Sequence, residues 1–267
     1  MSDTLPIKPK ECIKDLNDFD KSNRSLFMSV SAKNIHKLKD LRIDNLWLIG
    51  ANEKELKKIL AHVDLKYLNL YQVLAKDLSI LEMLNSVETI ILEWNTKSDR
   101  LWDLNKNSKL RTLEITDFSK INSIDQLSQA KQIRHLKLSG GHGKAILLKS
   151  IEPLKHLSNL ETLSLYNLKI EDDTLKPIGE LVNLKKLNLS NQFDTKEYAW
   201  LSVKLPKTEG KMLQAVSTCN ITDIDNKLKY DTMVTGRRKP FLLSTKDQAK
   251  IDKYIKDFEK LKTDISE

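Results

Sequence analysis

Residues 151–170 read IEPLKHLSNLETLSLYNLKI, and the core of this stretch, LETLSL at 160–165, decides the fold. The apolar residues of LETLSL occupy its first, fourth and sixth positions. The alternation in its second half is typical of a strand with one buried side. Just before it, Ile151, Leu154 and Leu157 recur every three positions, which indicates a one-sided helical or 3₁₀ turn.

This pattern of apolar residues occurs seven times, and successive copies begin 22 to 27 residues apart. A single match means little in a leucine-rich chain, whereas a regular period identifies an internal repeat. One strand and one short turn cannot bury their apolar side alone, so consecutive units must stack on one another. The seven copies are Ile43-Leu46-Leu48, Leu65-Leu68-Leu70, Val87-Ile90-Leu92, Leu110-Leu113-Ile115, Ile133-Leu136-Leu138, Leu160-Leu163-Leu165 and Leu184-Leu187-Leu189.

The repeat predicts an α/β solenoid with parallel strands on its concave face and short helices or 3₁₀ turns on its convex face. About seven repeats occupy residues 38–205. A solenoid needs a cover at each end, because its terminal repeats would otherwise expose their apolar core. We expect residues 1–37 to form the N-terminal cap. Residues 206–267 are expected to form the C-terminal cap, with a short hairpin within 218–235 and a final helix from Ser244.

The segments LETLSLYNL (160–168) and LKKLNLSN (184–191) resemble leucine-rich repeat proteins, in particular the 22-residue subclass shared with bacterial internalin-type proteins. The resemblance covers residues 38–205. It implies a curved solenoid whose strand side is usually a protein-binding surface. The asparagine ladder of that family is imperfect here, with Asn95 and Asn191 as its candidate members. In other repeats the corresponding residues are Val73, Phe118, Gly141 and Leu168.

The composition excludes several other classes of protein. With 7 glycines and 6 prolines, the chain is poor in tight turns, which argues against a sandwich or barrel. No apolar run reaches the roughly 18 residues that a membrane span requires, and the N-terminus lacks the apolar region of a secretory signal. Cys12 and Cys219 are too few for a disulfide framework. We therefore expect a cytoplasmic protein, and a monomer.

A search for catalytic motifs finds no phosphate-binding loop, GxSxG elbow, HExxH pair or CxxC pair. None of the 5 histidines has metal-ligand spacing to another histidine or to a cysteine. The glycine cluster at 140–143 is interpreted as the turn of the longest repeat rather than as a phosphate cradle. The sequence thus predicts no catalytic residue, cofactor or metal.

The outward-facing strand positions suggest a site. Aromatic residues make up 6% of the chain, yet several fall in the outward positions of the first three repeats. Exposed aromatic residues commonly supply the hot spots of protein interfaces. The alternative is that the N-terminal cap covers them. The proposed patch consists of Trp47, Tyr67, Tyr71, Ile91 and Trp94. A second outward region consists of Glu114, His135 and Lys137.

Three functions compete at this stage. The first is a non-enzymatic module, a scaffold, inhibitor or effector, that binds a protein on its concave face. The second is a binder of nucleic acid or an anionic surface, because the net charge is +8 and basic residues concentrate near the C-terminus. Its candidate residues are Arg237, Arg238 and Lys239, although interleaved aromatic residues for base stacking are lacking. The third is an enzyme with an unrecognised site in the C-terminal flank.

Overall fold

Nine parallel strands form one continuous sheet in the computed structural model, which describes residues 5–266. The strands of the sheet follow one another in chain order. Two short strands that lie between them in the sequence do not join the sheet and pair with each other. The strands are β1 (Ile13–Asp15), β2 (Ser25–Lys33), β3 (Asn45–Ile49), β4 (Tyr67–Tyr71), β5 (Thr89–Asn95), β6 (Thr112–Phe118), β7 (His135–Ser139), β8 (Ile146–Leu148), β9 (Thr162–Tyr166), β10 (Leu168–Ile170), β11 (Lys186–Leu189), β12 (Val216–Thr222), β13 (Leu228–Val234) and β14 (Phe241–Leu242). The sheet comprises β1–β7, β9 and β11, and the short pair is β8 with β10.

Short helical turns connect the strands of the sheet, and they alternate with the strands as the repeat predicts. Within the described residues, three segments are α-helices: α1 (Glu53–Leu60), α2 (Thr195–Lys204) and α3 (Ser244–Ser266). The 3₁₀ turns lie at Leu16–Asp18, Ile35–Asp40, Ser79–Met83, Leu104–Lys106, Asp125–Gln129, Glu152–His156, Lys176–Glu180 and Lys211–Leu213. Helix α1 begins at a capping box, because the Asn52 side chain accepts from the Glu55 N–H and the Glu55 carboxylate accepts from the Asn52 N–H. The predicted α/β solenoid is confirmed.

The leucines of the repeat pattern form the core. Their side chains point inward from adjacent strands in an unbroken register, so that each packs on its counterpart in the next repeat. The seven leucines that the repeat predicts to be buried are each at most 2% exposed: Leu68, Leu70, Leu113, Leu136, Leu138, Leu163 and Leu187. In a solenoid each repeat contacts only its neighbours, so this column of leucines joins each unit to the next.

Two buried asparagines satisfy backbone groups between repeats. Asn95 donates to the carbonyl of Ala75 (2.9 Å) and accepts from two backbone N–H groups in the turn that follows. Asn107 donates to the carbonyls of Leu81 and Leu84, and its side-chain oxygen accepts from the indole of Trp102 (2.6 Å). Asn95 thus has the role that the resemblance implies.

The strand ladder extends further toward the N-terminus than the repeat pattern indicates. Strand β2 pairs in register with β3, and Leu26 and Met28 are fully buried beside Leu46 and Leu48. The expectation that residues 1–37 lack the repeat is therefore wrong for β2. The repeat pattern does not identify this additional copy, because the first position of the copy is Asn23 instead of an apolar residue. The division of the chain into two caps and a repeat body remains a prediction.

The C-terminal region has the expected hairpin and final helix. Strands β12, β13 and β14 form a small antiparallel sheet, and α3 packs against α2. Phe258 of α3 is 2% exposed and belongs to the main core, whereas Ile251 packs in a separate small cluster with Val234 and Leu242. Among residues 5–266, no helix is long and apolar enough to cross a bilayer.

Replacing Leu163 with alanine should lower the free energy of unfolding by about 2–5 kcal/mol, because transfer energy is lost and a cavity remains. Leu163 is fully buried in β9, whereas Leu147 in β8 is 56% exposed. The matched control, Leu147→Ala, should change stability by no more than about 0.5 kcal/mol. Urea unfolding followed by circular dichroism measures both. Equal losses in the two variants would contradict the assignment of Leu163 to the core.

Candidate protein-binding face

Outward side chains on the strands form three straight rows across the concave face, because the register from β2 to β7 is unbroken. Neighbouring strands lie about 4.7–4.9 Å apart, so consecutive side chains in a row touch. The middle row is Phe27, Trp47, Asn69, Ile91, Glu114 and Lys137. One flanking row contains Tyr67 and His135, and the other contains Tyr71 and Glu93.

Three of the five residues in the predicted aromatic patch are buried. Trp47, Tyr67 and Ile91 are 4%, 5% and 8% exposed. They pack on one another and on Phe27, with the Trp47 and Tyr67 rings 4.8 Å apart between centroids. The ammonium group of Lys8 lies 3.9 Å from the centre of the Phe27 ring. The prediction that these three side chains are exposed is wrong, because large side chains on adjacent strands cover each other.

The aromatic cluster consists of Phe27, Trp47, Tyr67 and Ile91, and the predicted patch did not include Phe27. Phe27 was missed because β2 was not recognised as a repeat strand, although the alternation in SLFMSVSA at 25–32 was the available signal. Burial raises the pKa of the Tyr67 hydroxyl, and the carboxylates of Glu114 and Glu93 raise it further.

The other two residues of the predicted patch, Tyr71 and Trp94, are exposed and in contact. They are 41% and 38% exposed, and their rings meet edge to face with centroids 5.9 Å apart. The backbone of Trp94 has φ +59°, the left-handed region that bulky residues rarely adopt. Gln72 and Asp117, which stand at corresponding positions of the neighbouring repeats, also have positive φ. The turn geometry of the repeats thus holds an indole ring at the edge of the concave face.

The second outward region, Glu114, His135 and Lys137, is also brought together on adjacent strands. The Lys137 ammonium donates to the Glu114 carboxylate at 3.2 Å, and both side chains are partly exposed. An exposed pair of this kind contributes little to stability. His135 lies in the flanking row beside Thr112 and Thr162.

Two of the three candidate anion-binding residues are engaged within the chain. The Arg237 guanidinium donates to the Asp173 carboxylate, which raises the pKa of Arg237, and to the carbonyl of Gln192 at 2.7 Å. The Lys239 ammonium lies 5.3 Å from the centre of the Tyr254 ring. Within the described part of the chain, only Arg238 of the three makes no such contact. This geometry favours a structural role for Arg237, which joins the C-terminal segment to the last repeats.

The described residues contain no candidate metal centre. No three or more His, Cys, Asp or Glu side chains there are placed to hold a metal ion. Burial raises the pKa of Cys219, and the nearby Asp231 raises it further, which is opposite to the shift that activates a nucleophilic thiol. The first two glycines of the 140–143 turn are tightly packed, because a Cβ on Gly140 would overlap the Asn167 carbonyl and one on Gly141 would overlap the Asp117 carboxylate.

Comparisons with known proteins reveal similarity in fold. No protein-family model matches the sequence, and no curated protein matches it either. The solved structure of internalin F from Listeria monocytogenes superposes with a TM-score of 0.50 at 18% identity and covers 69% of this chain. Internalin C2 from the same organism superposes with a TM-score of 0.44 at 24% identity. The match covers 60% of this chain and 68% of the internalin C2 chain. A leucine-rich repeat protein from Leptospira interrogans superposes with a TM-score of 0.45 at 15% identity. The match covers 76% of this chain and 63% of the Leptospira chain.

The chain has the leucine-rich repeat fold, since stacked units of one parallel strand and one short turn define that architecture. Within that class it has an internalin-like fold, as the resemblance in its sequence indicated. The chain spans about half the length (53%) of the internalin F structure that it matches.

Proposed function

We propose that this chain is a non-enzymatic binding module that holds a protein partner on its concave face, at Tyr71 and Trp94. The observation that carries the proposal is the exposed contact between these two rings at the end of two adjacent strands. Trp and Tyr are enriched among the residues that dominate interface energetics. A scaffold, an inhibitor and an effector all use such a surface.

The backbone at Trp94 supports the same proposal. A residue other than glycine in the left-handed region costs about 1–2 kcal/mol, and Asn or Gly tolerates it better than Trp. Trp94 nevertheless has φ +59° and an exposed ring. The repeat turn gives Gln72 and Asp117 the same conformation, so what favours a role for Trp94 is the large exposed ring that stands there in place of Asn or Gly.

The rest of the concave face provides a rigid support. The buried aromatic cluster lies next to Tyr71, and the hydrogen bond from Asn69 to Glu93 (2.9 Å) links two neighbouring strands. A preorganised surface loses less conformational entropy when it binds. Glu114, His135 and Lys137 extend the proposed surface as polar contacts. We also propose a cytoplasmic location, which the small number of cysteines favours, and a monomeric state.

The double variant Tyr71→Ser/Trp94→Asn should fold normally but lose the partner. Asparagine tolerates the left-handed backbone, so the melting temperature is expected to stay the same or rise slightly. The measurement is affinity capture by wild type and variant in parallel, with quantitative mass spectrometry of the recovered proteins. A suitable control is Tyr166→Ser, which removes another exposed ring (38%) from a later strand. Undiminished capture by the double variant would place the binding site elsewhere.

A further inference from the structure

The proposed site lies in a part of the concave face where the charge is opposite to that of the whole chain. The net charge of the protein is +8. In the three rows on β2–β6, however, the only charged side chains are two carboxylates, Glu93 and Glu114. Lys137 neutralises Glu114 through their ion pair at 3.2 Å.

Among residues 5–266, the carboxylates of Glu93 and Asp117 have no ion-pair partner, and both residues lie on strands that carry or adjoin the exposed rings. Glu93 stands directly opposite Tyr71 in the register of β4 and β5, and its hydrogen-bond donor is the neutral amide of Asn69. Asp117 has the same place in its repeat as Trp94. Within residues 5–266 the Asp117 carboxylate makes no ion pair within 4.0 Å and no side-chain hydrogen bond, and it packs closely against Gly141.

Two exposed aromatic rings next to the Glu93 carboxylate have the chemistry of a binding site for a cation. The face of an aromatic ring attracts a cation, and Trp provides the strongest attraction. A carboxylate beside the ring adds a charge-assisted hydrogen bond. Among protein cations, the guanidinium group fits best, because it is planar, stacks on rings and is more weakly hydrated than an ammonium group.

We infer that Tyr71, Trp94 and Glu93 receive an arginine side chain from a basic segment of the protein partner, with Asp117 contributing long-range attraction. This inference rests on the proposed function, since it specifies the chemistry of the group that the same site binds. Partners that present an acidic or purely apolar segment are disfavoured, because Glu93 would then be desolvated beside a like charge or without a partner.

The inference is tested with two probes that differ only in charge, N-acetylarginine amide and its neutral isostere N-acetylcitrulline amide. The readout is the indole N–H signal of Trp94 in a proton–nitrogen correlation spectrum, assigned with the variant Trp94→Phe. We expect a saturable shift with the arginine probe and a much smaller one with citrulline. Glu93→Gln should weaken the response to arginine by about three- to tenfold.

The matched control is Glu88→Gln, an exposed glutamate immediately before β5 and outside the three rows, which should leave the response unchanged. The dispersion of the same spectrum reports whether each variant is folded. Equal shifts with both probes, no shift with arginine, or an unaltered response in Glu93→Gln would overturn the inference.

The two proposals fail in different ways. If Tyr71→Ser/Trp94→Asn still captures the partner, the proposed binding site is wrong. If that variant loses the partner while the arginine probe has no effect, the site binds a protein but does not receive a cation.

Discussion

Replacing Trp47 with alanine is expected to lower the free energy of unfolding by about 3–5 kcal/mol. Trp47 is 4% exposed and lies at the centre of the aromatic cluster, between Phe27 on one strand and Tyr67 on the next. Its removal would leave a cavity on the concave side and expose the Tyr67 ring. Chemical denaturation of purified protein, fitted as a two-state transition, measures the change.

The matched control for this prediction is Trp94→Ala, which removes the same side chain from an exposed position. Because Trp94 is 38% exposed, its loss should change stability far less than that of Trp47. The two variants therefore separate folding from recognition: Trp47→Ala should be unstable, and Trp94→Ala should be stable but defective in binding. If Trp47→Ala were as stable as wild type, the aromatic cluster would not contribute to the fold.

Deleting residues 240–267 is expected to lower the melting temperature by on the order of 10–20 °C, or to cause aggregation. The deletion removes Phe258 from the main core and Leu242 and Ile251 from the smaller cluster, and it exposes Val234. Each of the removed side chains stabilises the fold by about 1.5–3 kcal/mol when fully buried. Differential scanning calorimetry and size-exclusion chromatography measure the two outcomes.

Point variants on α3 complete the test of the C-terminal cap. Phe258→Ala should reproduce much of the destabilisation, at about 3–5 kcal/mol, because Phe258 is 2% exposed. Ile255→Ala is the control, because Ile255 on the same helix is 39% exposed. A truncated chain that stays monomeric with an unchanged melting temperature would show that α3 is free for another role.

The concave face thus divides into a stabilising part and a part proposed for recognition. In the aromatic cluster on β2–β5, Trp47, Tyr67 and Ile91 are buried and Phe27 is partly buried, whereas Tyr71 and Trp94 lie beside it with exposed rings. The contrast between Trp47 and Trp94 shows why residue type alone is a poor guide to a binding patch. Both are outward-facing in the repeat pattern, and their exposure differs because Trp47 has large neighbours on both adjacent strands.

The sequence alone determined the repeat, the parallel arrangement of its seven strands and the burial of residues such as Leu68 and Leu163. It could do so because a solenoid is nearly one-dimensional, with each unit contacting only its neighbours, so a local apolar pattern specifies which side is buried. The sequence also located the final helix, since the apolar stripe of Ile251, Tyr254, Ile255, Phe258 and Leu261 has the helical period.

Only the tertiary structure decided which outward residues stay exposed and which basic residues stay free. Trp47 is buried by side chains on two other strands, and Arg237 pairs with Asp173, 64 residues earlier in the chain. Asn191 likewise bonds to the carbonyl of Val234 and the N–H of Gly236 in the C-terminal region. The periodicity of a repeat specifies the direction of a side chain. The neighbours that cover the side chain come from other strands and from the C-terminal region, and only the folded structure places them.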